Sequence, residues 1–172
     1  MFRKHGHLNI EAYTNADWAG IPNDKRSALG YFTLVRGNLV TWRSKKQKVV
    51  ALSSVEAEFW GLAKGITKVY WIKKLITEIG FPPQLPSQLK CDNKATISNL
   101  ENPVQHDKTN HIEVDKHFIK EKIADSSVEL PFVRSEDQLA EILTKAITGK
   151  AFTRVLSKLR IGDPNAHLDR KC

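Results

Sequence analysis

The sequence is poor in cysteine and has no long apolar run. Only two cysteines, Cys91 and Cys172, occur among 172 residues, so no disulfide framework is expected and a reducing compartment is favoured. No apolar run approaches the roughly 20 residues that a membrane-spanning helix needs. The N-terminal residues also lack the apolar core of a secretory signal peptide. These absences predict an intracellular protein of the cytoplasm or nucleus, neither secreted nor inserted in a membrane.

Acidic residues are scarce relative to basic ones. Lysine and arginine number 27 against 19 for aspartate and glutamate, which gives a formal net charge of +8. Such a charge favours a polyanionic partner, most often nucleic acid, and the alternative is a charge that serves only solubility. The hydrophobic fraction of 41% and the length suit one domain with a full hydrophobic core.

Two common functional signatures are missing as well. The chain contains no Tyr-x-Asp-Asp polymerase motif and no His/Cys cluster with zinc-ligand spacing. His111 and His117 are six residues apart, which separates them by about 120° around a helix. They therefore do not form a zinc pair, and we assign them no role.

The first third of the chain predicts an antiparallel meander. Residues 7–14 alternate between apolar and polar side chains, which indicates a strand with one buried face. Leu29–Val35 is predicted as a second strand, with a hairpin turn at Arg36–Gly37–Asn38. Leu39–Trp42 returns as a third strand, which Val49–Leu52 extends beyond a basic break.

A long helix is predicted next. Ser53 and Glu56 fit a capping box, and an apolar stripe continues to Gly80, where the helix should end. Trp71 neighbours this stripe and is expected to be buried. The remaining predicted elements are a strand at 89–91, helices at 94–101 and 111–124, a strand at 128–133, a helix at 135–145 and, after an interruption at Gly149, a C-terminal helix. This order predicts an α/β protein with a mixed sheet and helices on its faces.

Four acidic or near-acidic points fall where predicted elements begin or end. They are Asn15 with Asp17 after the first strand, Glu58 early in the long helix, Asp92 at the end of the short strand at 89–91, and Glu141 early in the late helix. Ligands of open α/β sheets bind beyond the carboxyl ends of strands. Carboxylates that converge repel one another unless a cation lies between them. The pattern predicts two divalent cations, as in many nucleases, with four carboxylate ligands: Asp17, Glu58, Asp92 and Glu141.

Each of these residues also has a plainer interpretation. Asp92 could be only the N-cap of the following helix. Glu58 and Glu141, taken singly, could be solvated helix charges. The metal-site prediction therefore depends on the joint pattern.

A basic segment with one tryptophan precedes the long helix. Six of its residues are predicted to follow a nucleic-acid backbone: Trp42, Arg43, Ser44, Lys45, Lys46 and Lys48. Ser54 and Asn93 could donate to backbone or 2′-hydroxyl groups, which distinguish RNA from DNA. The alternative is an edge strand whose lysines protect it from aggregation.

Several ordered stretches resemble one known family. They are YTNADWAG (13–20), TWRSKKQ (41–47), ALSSVEAEFWGLA (51–63), KCDNKATI (90–97), NPVQHDKTNHIEVDKHFIKEK (102–122) and FVRSEDQLAEILTK (132–145). They are similar to the ribonuclease H domain of copia-type retrotransposon Pol polyproteins (reverse transcriptase/ribonuclease H), over about residues 4–160.

The resemblance implies the ribonuclease H-like fold: a five-stranded mixed sheet, three antiparallel strands with two parallel additions, flanked by helices. We expect this domain to span residues 1–160, with 161–172 as a flexible tail. The implied activity is two-metal-ion cleavage of the RNA strand of an RNA–DNA hybrid, with Mg²⁺ or Mn²⁺. The implied partners are the hybrid and the polymerase domain of the same polyprotein, and in isolation the domain is expected to be a monomer.

Residue by residue, the family's acidic ligands fall on Asn15, Glu58, Asp92 and Glu141. The chain departs from the family at the first, where Asp is usual, and at the last, where Glu replaces Asp. Asn15 removes a charge, and only its amide oxygen can bind a cation. Even the loss of a residue that only supports a ligand typically costs roughly 10–100-fold in metal affinity or activity.

The departure at Asn15 predicts an impaired or inactive ribonuclease, with Asp17 on the same face as a partial substitute. An alternative is a catalytically inactive module with the same fold that binds nucleic acid or tethers the polymerase. A third interpretation is a pseudogene fragment without a selected role.

Overall fold

One five-stranded mixed sheet organises the fold. The computed structural model describes residues 8–18, 26–48, 50–83, 85–101, 110–159 and 161. Its strands are β1 (Ile10–Asp17), β2 (Ala28–Val35), β3 (Asn38–Lys46), β4 (Ser87–Lys90) and β5 (Val128–Glu129). They lie in the order β3-β2-β1-β4-β5. The first three pair antiparallel, and β4 and β5 add in parallel to β1, which confirms the predicted fold class.

Helices and short 3₁₀ turns cover both faces of the sheet. The helices are α1 (Ser54–Glu78), α2 (Lys94–Glu101), α3 (Asn110–Ala124) and α4 (Gly149–Lys158). Ser53 caps α1 through its Oγ, which accepts the Glu56 amide at 3.1 Å. The helix ends before Gly80, which has a φ of +89° that a glycine adopts without strain. Both ends of α1 are therefore where the sequence predicts them.

The alternating residues of β1 separate two hydrophobic cores. Ile10 and Ala12 belong to the larger core beneath α1 and α3, whereas Tyr13 packs against the smaller core on the other face. Gly65 lets α1 approach β1 closely, because a Cβ there would lie 2.5 Å from Thr14 Cγ2. The close approach holds the middle of α1 against β1.

Two details of the meander differ from the predictions. The positive φ angles of the hairpin belong to Arg36 and Gly37, whereas Asn38 already starts β3. β3 continues through the expected basic break to Lys46, because an edge strand exposes polar side chains without losing its backbone pairing. The predicted extension at Val49–Leu52 is wrong for residues 50–52, which form no strand; Val49 lies outside the described residues.

The late helix predicted over 135–145 is also wrong. The segment forms two 3₁₀ turns, Ser135–Asp137 and Leu139–Leu143, separated by the buried Gln138. The side chain of Gln138 turns inward and accepts the Ala140 amide, which breaks the helical ladder.

Three smaller predictions also fail. β5 is shorter than predicted, because Pro131 lacks an amide hydrogen and interrupts the pairing, which resumes as a single bridge between Phe132 and Cys91. Gly149 does not interrupt a helix but begins α4, which Thr148 caps. Trp71 is 54% exposed and not buried, because the buried residues of α1 beside it, such as Ile72, face the sheet.

No helix in the described part of the chain is long and apolar enough to cross a membrane. The division between a domain at 1–160 and a tail at 161–172 stays a prediction.

Candidate functional site

Three of the predicted catalytic residues, Asn15, Glu58 and Asp92, converge at the carboxyl ends of β1 and β4. They border a cavity of about 420 Å³. The residues that line it are Asn15, Glu58, Asp92, Asn93, Lys94 and Phe132. Residues far apart in sequence thus meet where β1 and β4 end, and the carboxyl ends of parallel strands are where a ligand site is expected.

Three separate elements supply the polar groups of the cavity. Asn15 is in β1, and Asp92 follows β4 after Cys91. Glu58 comes from the first turns of α1 and reaches over the sheet edge, where its Oε1 accepts the Ala16 amide at 3.2 Å. Asn93 is the cap of α2, since its Oδ1 accepts the Thr96 amide at 3.1 Å. Asp92 is thereby left to face the cavity and does not act as the cap.

Glu58 is a buried carboxylate with one unpartnered oxygen. The residue is 4% exposed, and its Oε2 has no hydrogen-bond partner among the described residues. Burial and, less strongly, the charge of Asp92 together raise the pKa of Glu58 to about 8, against the lowering effect of the Ala16 amide. An oxygen in this state gains stabilisation from a cation, because the cation removes both the unmet bond and the repulsion.

The donor set fits a hard divalent cation. Glu58 and Asp92 offer carboxylate oxygens, and Asn15 offers an amide oxygen, the ligand types that Mg²⁺ and Ca²⁺ take in proteins. Within the described ranges, however, no group of three or more His, Cys, Asp or Glu side chains is placed to hold a metal ion. The chain therefore has two converging carboxylates and one amide where the sequence pattern predicts four carboxylates.

Glu141 does not line the cavity. It lies in the second 3₁₀ turn, and its Oε1 is 2.6 Å from Lys145 Nζ. This hydrogen bond raises the pKa of Lys145 against partial burial, as do the charges of Glu141, Asp17 and Asp92. Lys145 thus places a positive charge beside Glu141, Asp17 and Asp92. Asp17 is half-buried at the end of β1 and is not among the residues that border the cavity.

Asn15 is held by a bond that an aspartate could not make in the same way. Its Nδ2 donates to Thr144 Oγ1 at 2.6 Å, and that hydroxyl donates to the Glu141 carbonyl oxygen at 3.0 Å. The amide therefore connects β1 to the 3₁₀ segment that carries Glu141. These hydrogen bonds leave only Oδ1 of Asn15 for a cation.

The sheet separates the predicted nucleic-acid-binding residues into two groups. Arg43, Lys45 and Lys48 border a groove of about 1110 Å³ between β3 and α1. Because strand side chains alternate, Trp42, Ser44 and Lys46 belong to the opposite face. Ser44 Oγ donates there to the Leu143 carbonyl oxygen at 2.5 Å. Ser54 is exposed at the start of α1 and lies outside both cavities.

The sequence interpretation missed several residues of this region. Lys94 and Phe132 border the smaller cavity, and Lys94 Nζ lies 4.8 Å from the centre of the Phe132 ring. In the larger groove, Trp60, Lys64, Lys68 and Trp71 join the predicted cations. Their spacing by three, four and seven residues along one helix is the signal that could have identified them.

The described cysteine and histidine side chains outside the predicted site do not contribute to it. Cys91 is buried, and burial together with the charge of Glu58 raises its pKa to about 12, so it is a packing residue and not a nucleophile. His117 is exposed on α3, and the side chain of His111 lies outside the described residues.

Comparison with known proteins identifies relatives of the chain and of its fold. No protein-family model matches the chain. The chain is 37% identical, over 94% of its length, to the retrovirus-related Pol polyprotein from transposon RE1 of Arabidopsis thaliana. It is also 32% identical, over 83% of its length, to the corresponding polyprotein from transposon TNT 1-94 of Nicotiana tabacum. The chain spans 11% of each of these relatives.

Solved structures establish the fold independently of the sequence relatives. LC11-RNase H1, crystallised in complex with an RNA/DNA hybrid, superposes with a TM-score of 0.59 at 15% identity, covering 84% of this chain and 99% of that one. This chain belongs to the ribonuclease H region of retrovirus-related Pol polyproteins. The ribonuclease H fold also occurs in the foamy viral protease-reverse transcriptase solved with an RNA/DNA hybrid, where the TM-score is 0.53 at 13% identity. That match covers 86% of this chain and 20% of the viral one.

Proposed function

We propose that this ribonuclease H domain binds RNA–DNA hybrids and cleaves the RNA strand with divalent cations, at a rate that Asn15 reduces. The observation that carries the proposal is the convergence of Glu58, Asp92 and Asn15 on one cavity, with Glu58 Oε2 buried and unpartnered. A buried carboxylate without a partner is costly for stability, and a cation site gives it a function. The polymerase part of the same polyprotein is the expected tethered partner.

The residues of the cavity have separable tasks in this proposal. Glu58, Asp92 and the Asn15 oxygen would hold Mg²⁺ or Mn²⁺, and a second ion would require Glu141 to leave Lys145. Bound cations supply an activated water and neutralise charge on the scissile phosphate. Lys94, at the rim of the cavity, supplies a positive charge that attracts a phosphate.

The groove between β3 and α1 would bind a part of the hybrid that is distant from the scissile bond. Arg43, Lys45 and Lys48 line it on one side, and Lys64 and Lys68 line it on the other. Cations of this kind bind backbone phosphates independently of sequence. The groove therefore supports a duplex-binding role that does not depend on catalysis.

A second candidate function is that of a catalytically inactive binding module. Two contacts favour it: the Asn15 amide bonds Thr144, and Glu141 is paired with Lys145. In this state only Glu58 and Asp92 present carboxylates to the cavity. Hybrid binding would then persist without cleavage.

The deciding experiment is cleavage of a labelled RNA–DNA hybrid in Mg²⁺ and in Mn²⁺ by the unmodified chain and by the Asn15→Asp variant. We expect the variant to be faster by at least roughly 10–100-fold, since it restores an anionic ligand. The Thr144 hydroxyl must then turn from the Glu141 carbonyl to donate to the new carboxylate. Asn38→Asp, which adds the same charge at the β2–β3 turn, is the matched control and should leave the rate unchanged.

Each outcome separates the two functions. Cleavage by the Asn15→Asp variant that disappears when Asp92→Asn is added would support the metal site. An Asn15→Asp variant no faster than the unmodified chain would reject the role of Asn15 as the impaired ligand. If neither protein cleaves the hybrid but both bind it, the inactive binding module is the correct function.

A further inference from the structure

Gln138 is a buried amide at the point where β1 and β4 stop pairing. The two strands pair from Glu11 with Gln88 to Tyr13 with Lys90. Beyond that point Gln138 Nε2 donates to the Thr14 carbonyl oxygen at 2.9 Å and to the Lys90 carbonyl oxygen at 3.3 Å. Both hydrogens of one amide thus bridge the gap between two strand ends.

The other end of the same amide fixes the segment that follows. Gln138 Oε1 accepts the Ala140 amide at 3.2 Å, which starts the second 3₁₀ turn. The side chain is 2% exposed, so water cannot replace these bonds. One side chain therefore satisfies polar groups on three separate segments.

Each bonded backbone group lies within two residues of a predicted site residue. Thr14 precedes Asn15, Lys90 is two residues before Asp92, and Ala140 precedes Glu141. The separation of the two strand ends determines the distance between Asn15 and Asp92. The turn at Ala140 determines the orientation of Glu141 relative to both.

We propose that Gln138 is a positioning residue of the metal site, which holds the ends of β1 and β4 and the Glu141 segment in one arrangement. It contacts neither substrate nor cation. The proposal rests on the proposed function only in assuming that the cavity binds a divalent cation. The alternative is that Gln138 contributes to global stability alone, as many buried amides do.

The test compares two variants that each lose side-chain hydrogen bonds. Gln138→Met keeps the approximate length and volume of the side chain but removes both donors and the acceptor. Tyr70→Phe is the control, because the Tyr70 hydroxyl bonds Ser127 Oγ at 2.6 Å, at the amino end of β5 and away from the cavity. Both variants should be less stable than the unmodified chain, so stability alone does not decide between the interpretations.

The deciding measurement is Mn²⁺ affinity, obtained by titrating the metal-free proteins with Mn²⁺ alone. We expect affinity to fall by roughly 10-fold or more in Gln138→Met, as for other residues that orient metal ligands, and to be unchanged in Tyr70→Phe. In an Asn15→Asp background, kcat for hybrid cleavage should fall with Gln138→Met while KM does not change, since the basic groove is unaltered. Equal Mn²⁺ affinity of folded Gln138→Met and unmodified protein would overturn the proposal.

A second measurement separates this proposal from the proposed function. If the unmodified chain binds no Mn²⁺, the proposed function fails and Gln138 is not part of a metal site, but the NMR signal of the Asn15 side-chain amide still decides whether Gln138 positions Asn15. A shift of that signal in Gln138→Met but not in Tyr70→Phe supports positioning, and an unmoved signal overturns it. If Gln138→Met does not fold, hydrogen exchange of the Gln138 amide in the unmodified chain decides: slow exchange supports the two bridging bonds, and exchange as fast as in an exposed glutamine overturns them.

Discussion

Replacing Glu58 by glutamine should change how the stability of the metal-free protein depends on pH. The pKa of Glu58 is about 8 in the folded protein, against an ordinary value of 4.5. The difference, 8 − 4.5 = 3.5 units, corresponds to at most about 5 kcal/mol at about 1.36 kcal/mol per unit. Between the two pKa values the folded protein keeps a proton that the unfolded chain has lost. The free energy of unfolding therefore falls with rising pH across this window and is constant, with respect to Glu58, outside it.

Glu58→Gln removes the free-energy cost of ionising a buried carboxyl group and adds the smaller cost of a buried NH₂ group without a partner. Its oxygen can still accept the Ala16 amide, but an NH₂ group takes the place of the unpartnered Oε2. A buried donor without a partner costs about 1–3 kcal/mol. Glu58→Gln should therefore be less stable than the unmodified chain at acidic pH and more stable, by about 2–4 kcal/mol, above the folded pKa. The two stability curves should cross.

The assay is urea unfolding in the presence of a chelator, followed by tryptophan fluorescence, at pH values below, within and above the window. The matched control is Glu56→Gln, in the same turn of α1, where the carboxylate already accepts the Leu52 amide; this exchange should produce no crossing. Parallel curves for Glu58→Gln and the unmodified chain would refute the argument from burial.

Adding Mg²⁺ extends the same experiment to the metal site. Mass action stabilises a protein that binds a ligand by about 2.7 kcal/mol at a ligand concentration of about 100 Kd. The unmodified chain should gain this stability, whereas Glu58→Gln should gain much less because it lacks the anionic ligand. Equal stabilisation of the two proteins would mean that Glu58 does not bind the cation.

Three further substitutions test the packing, the groove and the charge of Lys145. Gly65→Ala should lower stability by about 1–2 kcal/mol, because overpacking costs more than the gain in helix propensity. Gly61→Ala, whose Cβ would meet only a flexible leucine methyl at 3.3 Å, should be neutral or slightly stabilising. Urea unfolding checks both, and equal effects would contradict the close approach of α1 to the sheet. Alanine at the three groove cations on the β3 side should reduce the salt dependence of hybrid binding by up to about 2.7 in the log–log slope, whereas Lys46→Ala, on the opposite face, should change it little. An unaltered slope in the triple variant would exclude this side of the groove. The cations concerned are Arg43, Lys45 and Lys48. Lys145→Met should strengthen Mg²⁺ binding in a calorimetric titration by releasing the carboxylate of Glu141, and weaker binding would show that Lys145 orders the site instead.

Most of the secondary structure could be predicted because its signals are local. α1 carries its own cap at Ser53, its own stripe and its own stop at Gly80, so neighbouring residues determine its bounds. β1 shows the alternation that one buried face imposes. The predictions fail where contacts between residues distant in sequence determine the local structure. The sequence predicts a break in β3, because an edge strand exposes polar side chains. It predicts a helix at 135–145, because a helical pattern does not show that Gln138 turns inward.

The candidate site could be predicted only in part, for the same reason. The sequence identified Asn15, Glu58 and Asp92, because acidic groups at the ends of elements form a pattern, and the cavity brings these three together. Glu141 and Lys145 are four residues apart, so their pairing is a local contact that the sequence could have indicated. The sequence could not reveal that Glu141 does not border the cavity, because that depends on the path of a 3₁₀ turn across β2. The contact of the Asn15 amide with Thr144 joins residues 129 positions apart.

The sequence by itself determined the order of the elements, the fold class and the basic character of the protein, because hydrophobic periodicity, caps and charge are properties of short segments. Only the tertiary structure decided which carboxylates face one cavity and which side of the sheet each cation occupies. These outcomes depend on distances of a few ångströms between strands and turns. Such distances are set by the packing of Gly65 on β1 and by the bridging amide of Gln138.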